Sequence, residues 1–124
     1  AGLDFVNRLG ISRIEAHERK LARALYQQLK RNPDITLYTE CPQESSHVPV
    51  ISFNVRGMHS EETASALNRM GAAVRAGLHC APLAHRAFST LEAGTVRASF
   101  SAFHTLHETE RFAWMIKKIA EKRT

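Results

Sequence analysis

Residues 49–55, PVISFNV, alternate without a break: Ile51, Phe53 and Val55 fall on one side, Val50, Ser52 and Asn54 on the other. Successive side chains of a strand point to opposite faces, so this segment is a strand with one apolar and one mixed face. A second run, TVRASFS at 95–101, repeats the pattern, with Val96, Ala98 and Phe100 opposed to Thr95, Arg97, Ser99 and Ser101. Strands of this kind need a second layer against the apolar side.

Helices supply that layer. Ile14, Leu21, Leu25 and Leu29 recur at helical spacing, with His17 and Ala24 on the same side. SRIE (12–15) reads as a capping box, with Ser12 capping and Glu15 reaching back, and Asn32 with Pro33 ends the helix. A second helix opens at Ser60, where Glu61 and Glu62 suit the positive end of its dipole, and stops at Gly71. TLHE (105–108) is another capping box, opening a last helix that buries Phe112, Ile116 and Ile119. ITLY (35–38) and AAVRAG (72–77) read as short strands, with a polar loop, TECPQESSH, after the first. GLDFVNRLG (2–10) is a short helical piece whose Leu3, Phe5, Val6 and Leu9 want something to pack against. The sum predicts an α+β domain: a small, mainly antiparallel sheet of four strands with helices packed on one face.

At 124 residues the chain has room for one modest core. Its formal charge of +5 would suit a phosphate-rich partner. However, the basic residues interleave with Glu along helices, as in IEAHERKLAR and HETERFAWMIKKIAEKR, which reads as solvated helix faces. No Arg/Lys run carries the aromatics of a single-strand binder, so no nucleic acid is expected. No apolar run is long enough to span a bilayer, so no membrane is expected, and the sparse cysteines read as a cytoplasmic setting. Two cysteines, Cys41 and Cys80, are too few for a disulfide framework or a four-thiolate zinc site, which fits a reducing compartment.

The chemistry gathers in AVRAGLHCAPLAH (73–85). Gly77 lets the chain leave the preceding strand sharply. Cys80 then sits on a loop from 76 to 94, long for so small a domain. A thiolate is the reactive form, and a cation such as Arg75, or His79 when protonated, would lower the thiol's pKa. The alternative is an inert, small loop residue. His79, His85 and Cys80 offer three donors on one loop, but without the spacing of a zinc module, and no metal is expected. Arg97, on the polar side of its strand, suits bidentate recognition of a carboxylate; the alternative is an ion pair with a Glu of this domain.

VRAGLHCAPLAH, followed by GTVRASFSAFHT and an ETERF helix, resembles the C-terminal part of the cysteine desulfurases and selenocysteine lyases. These are class V aminotransferase-like enzymes that use pyridoxal phosphate. The RxGxHC pattern, with R-x-S about twenty residues later across one loop, is similar to the SUF-type branch, and CAPLAH to a less characterised desulfurase-like branch. GLDFVNRLGISRIEAHERKLARAL resembles the family's helix entering the small domain, and VPVISFNVRGMHSEETASALNRMGAAVRAG its strand–helix–strand core. One departure is FHT at 103–105, where the family more often has YNT.

The resemblance implies roles. Cys80 is the persulfide-forming cysteine, Arg97 grips the substrate carboxylate, Arg75 helps shape the loop and His79 takes part in proton handling. The implied reaction removes sulfur from L-cysteine, or selenium from L-selenocysteine, giving L-alanine, with pyridoxal phosphate as electron sink. Sulfur then passes from Cys80 to an acceptor protein. The complete enzyme is implied to be a homodimer.

The family's cofactor lysine belongs to a larger N-terminal domain, and its Ser-His-Lys setting is missing here. Lys20, Lys30, Lys117, Lys118 and Lys122 all lie in amphipathic helices. Residues 1–124 are therefore expected to be a single C-terminal small domain, 1–11 leading in from an absent large domain that binds the cofactor, and inactive alone. Two other readings stand beside this one: the small domain of another class V aminotransferase-like enzyme in which Cys80 is incidental, and a stand-alone basic module whose nucleic-acid binding would fall steeply with salt.

Overall fold

The strand built on Ile51, Phe53 and Val55 is the middle of the sheet. The structure is a computed structural model and describes residues 1–43 and 48–122. β1 (Ile35–Leu37) and β3 (Val96–Ser99) flank β2 (Val50–Val55), both antiparallel to it. The register sets Leu37 and Val96 opposite Phe53, and Arg97 opposite Ser52. Cross-strand partners share a face, so Leu37, Ile51, Phe53, Val55, Val96 and Ala98 point one way. Ser52, Asn54 and Arg97 point the other.

Three helices cover the inner face: α2 (Ile11–Lys30), α3 (Ser60–Arg69) and α5 (Leu106–Glu121). Ala22, Leu25 and Leu29 of α2, Leu67 of α3, and Ile116 and Ile119 of α5 join the strand residues in one buried cluster. Phe53, Leu25, Leu67 and Ile116 are wholly buried, each such side chain contributing about 1.5–3 kcal/mol by leaving water. Two shorter helices complete the chain: α1 (Gly2–Leu9), packed on α2, and α4 (Pro82–Ala87) in the loop before β3. Among the described residues no helix is long and apolar enough to cross a membrane.

The α+β reading, with helices on one face, holds. The capping box at 105–108 is formed: Thr105 Oγ1 accepts from Glu108 N–H at 3.2 Å, and Glu108 Oε2 accepts from Thr105 N–H at 2.8 Å. That backbone bond, and then the Thr105 hydroxyl, hold the Glu108 carboxyl below its ordinary pKa.

Three local expectations do not hold. Ser12 caps nothing, because α2 starts one residue earlier, at Ile11. Gly10, at φ 85°, lets α1 abut α2, and its carbonyl takes the N–H groups of Arg13 and Ile14. Glu15 pairs instead with Arg19, one turn on. The strand read at 72–77 shrinks to a single bridge between Arg75 and Arg97. Ala72 is still tied to the end of α3 through Leu67 O, and Gly77, at φ 100°, turns the chain away. The sheet thus has three strands rather than four. The loop from 76 to 94 is not irregular throughout, since Pro82 fits the first turn of α4. The polar loop read at 39–47 falls partly outside the described residues.

Candidate active site

Cys80 is carried on the outer face of the sheet, the face without helices α2, α3 and α5. The chain leaves the Arg75 bridge at Gly77, whose carbonyl accepts from Thr95 N–H at 3.1 Å. His79 and Cys80 follow at φ 51° and 58°, left-handed values that cost an L residue about 1–2 kcal/mol each. Such strain collects at functional sites when the surroundings enforce it. The Cys80 thiol is exposed, immediately before α4.

His79 folds back on β3, its Nε2 3.0 Å from the carbonyl of Thr95. A carbonyl only accepts, so Nε2 carries the hydrogen and, in the neutral ring, Nδ1 keeps its lone pair. That Nδ1 is buried and has no hydrogen-bond partner. His85, on α4, is buried with Nδ1 2.8 Å from Thr90 Oγ1, and its ring lies 6.1 Å from that of His79. Farther along, Phe88 meets the ring of Tyr38 edge-on at 6.4 Å, so the loop reaches from β3 toward the β1 side of the sheet.

Under this loop two arginines meet. Arg97 and Arg75 exchange both backbone bonds, at 2.7 and 3.2 Å, which brings two guanidinium-bearing residues side by side. Arg97 Nε is buried without a partner, and among the described residues no acid pairs with Arg97 or Arg75. The alternative of an Arg97–Glu pair is therefore not met there. A buried donor left without an acceptor is costly, and a ligand carboxylate would satisfy it.

The same surroundings act on His79. Burial is the main cause that lowers its pKa from 6.5; the Thr95 carbonyl opposes this, and the charges of Arg97, His85 and Arg75 add to it. His79 is accordingly a neutral group at pH 7 rather than the cation that would favour a thiolate. Arg75 keeps that role available.

The structure brings Arg75, His79 and Arg97 together and places Cys80 next to them along the chain. His85 and Thr90 pin the loop's far limb. Two further residues, Asn54 and Ser60, hold its base, although sequence reasoning gave them no part. Among the described residues no group of three or more His, Cys, Asp or Glu is set to hold a metal ion.

The family model for aminotransferase class V matches residues 1–112. The chain belongs to the class V aminotransferase family. Curated relatives in this family include a probable cysteine desulfurase of Synechocystis sp., 33% identical over 112 residues, covering 90% of this chain and 26% of that protein. Another, from Mycolicibacterium paratuberculosis, is 40% identical over 119 residues, covering 96% of this chain and 17% of that protein. Among solved structures, the apo cysteine desulfurase of Thermococcus onnurineus superposes with a TM-score of 0.87 at 32% identity, over 98% of this chain and 29% of that one. The class V chain described here thus spans under a third of the length of each of these relatives.

Proposed function

We propose that this class V chain is the C-terminal small domain of a cysteine desulfurase, contributing the sulfur-accepting thiol and the substrate-carboxylate site. The observation that carries the reading is the pairing of an exposed, conformationally strained Cys80 with an arginine pair that no acid of the described residues neutralises. The named relatives support it.

Arg97 binds the carboxylate of L-cysteine through its planar fork, and Arg75, bridged to it, adds charge and fixes the start of the loop. His79, next to Cys80 along the chain and held by its Nε2 on the Thr95 carbonyl, takes part in proton handling in this reading. The Cys80 thiolate attacks the substrate sulfur: an S–S bond forms, the substrate C–S bond breaks, and its electron pair stays on carbon, where a proton completes L-alanine. A thiol of an acceptor protein then attacks the exposed persulfide.

The described residues of this chain offer no lysine seat for pyridoxal phosphate at the Cys80 loop. All five lysines lie on α2, within α5 or just beyond its end, in the helical layer, with Lys30 over Tyr26 and Lys117 and Lys118 facing Glu121. None stands on the Cys80 loop or the outer sheet face. In this reading the cofactor, which supplies the electron sink when bound, is held by residues outside 1–124.

The test is a Cys80→Ala change in the complete protein with its cofactor bound. Alanine release from L-cysteine is expected to vanish while the cofactor's absorbance stays. Unchanged turnover would instead point to another class V reaction in which Cys80 is incidental.

A further inference from the structure

Asn54 sits on β2's outer side, where a strand exposes polar groups, yet only 6% of it is accessible. A buried amide is tolerated only when its bonds are made, and here both ends are engaged with the far end of the Cys80 loop. Its Nδ2 donates to Gly94 O at 2.8 Å and its Oδ1 accepts from Val96 N–H at 3.3 Å. Ser60, first residue of α3 and 1% exposed, grips both limbs at once. Its Oγ accepts from Gly77 N–H at 3.2 Å and its N–H donates to Ala93 O at 3.0 Å.

Between these grips the two limbs touch. A Cβ on Gly94 would lie 2.7 Å from Ser60 Oγ and 2.8 Å from Gly77 Cα, so only glycine permits the approach, and its φ of 60° suits glycine as well. Among the described residues, those between, 78–92, have no hydrogen bond of this kind to Asn54 or Ser60. Their hold is His79 to Thr95, His85 to Thr90 and the Phe88 edge on Tyr38.

We propose that Asn54 and Ser60 are positioning residues that latch the base of the Cys80 loop and so set where the thiol can reach. The latch acts on Gly77 and Gly94, three and fourteen residues along the chain from Cys80. The Arg75–Arg97 bridge lies outside it. Loosening the latch therefore lets the thiol wander without removing the carboxylate site. This deepens the desulfurase reading and rests on it for its kinetic consequence, but not for its structural one.

The test uses the complete protein with cofactor bound, and the variants Ser60→Ala and Gly94→Ala. The first readout is independent of any reaction: the rate of trypsin cleavage after Arg86, an exposed residue of α4 that must leave its helical conformation to be cut and so reports how freely the loop opens. Losing one buried partner costs enough for local opening to rise about tenfold in Ser60→Ala, and more in Gly94→Ala, with the melting of the core little changed. The second readout is kinetic: kcat for alanine release is expected to fall about tenfold while KM for cysteine stays within about twofold. Unchanged cleavage in both variants overturns the latch. Faster cleavage with unchanged kcat, or kcat and KM worsening together with a lower melting temperature, overturns the positioning role. A wild-type protein that releases no alanine from cysteine sinks the desulfurase reading instead, and the trypsin rates still decide whether the loop is latched.

Discussion

On the inner face of the sheet Phe53 is wholly buried in one cluster with Leu25, Leu67 and Ile116. On the outer face, one strand away, Arg97 keeps a buried Nε with no partner, His79 a buried Nδ1 with none, and three non-glycine residues of the loop, His79, Cys80 and Ser89, adopt positive φ. Leu83 and Phe88 of the same loop are largely exposed. The first region fills its interior with its own apolar side chains. The second holds strain, open polar groups and apolar surface, features that a native fold keeps where chemistry or a partner uses them. On the proposed reading, the contrast teaches that stability and function are carried by opposite faces of one three-stranded sheet.

Substitutions should separate the two faces, and the largest effect on folding is expected inside. Phe53→Ala leaves a cavity under all three strands and is expected to cost about 3–5 kcal/mol in urea unfolding, with activity lost only as the fold is lost. A cost below about 1 kcal/mol would break the division, because the inner face would then be loosely packed.

Arg97→Lys sharpens it from the other side. A lysine gives a point charge in place of a planar fork, so KM for cysteine is expected to rise about tenfold in steady-state assays of the complete enzyme. Stability should not fall, since the change removes a buried donor that has no acceptor. A large loss of stability with unchanged KM would place Arg97 among structural residues.

The smallest effect is electrostatic. The folded state lowers the pKa of His79 below 6.5, so as pH falls through that value the unfolded chain takes up the proton first and stability declines. Above it both states are neutral there and the contribution is constant. His79→Gln removes the titration and can keep an N–H for the Thr95 carbonyl. Its urea midpoint is expected to change less than the wild type's between about pH 7.5 and 5.5. An identical slope in both would show that the cluster around His79 is looser than its geometry states.

The inner face was legible because its signals are periodic and local. The alternation around Phe53 and Val96, the helical spacing of Leu21, Leu25 and Leu29, and the Thr105–Glu108 box all lie within one element each. What escaped was set by backbone geometry or by distance along the chain. Ser12 looked like a cap, but Gly10 at φ 85° let two helices meet there instead. The strand at 72–77 depended on where α3 released the chain, which no alternation records. Cys80, Arg75, His79 and Arg97 were readable as a cluster because a motif carried them. Asn54 and Ser60 were not, for their partners Gly94 and Gly77 lie 40 and 17 residues away.

The central claim is that Cys80 is the thiol that takes the sulfur, and mass spectrometry of the complete protein after one turnover with L-cysteine tests it most directly. The account predicts that the peptide bearing Cys80 gains the mass of one sulfur atom, that a thiol reductant removes it, and that the Cys41 peptide is unchanged. Alanine formed in equal amount with Cys80 unmodified would contradict it.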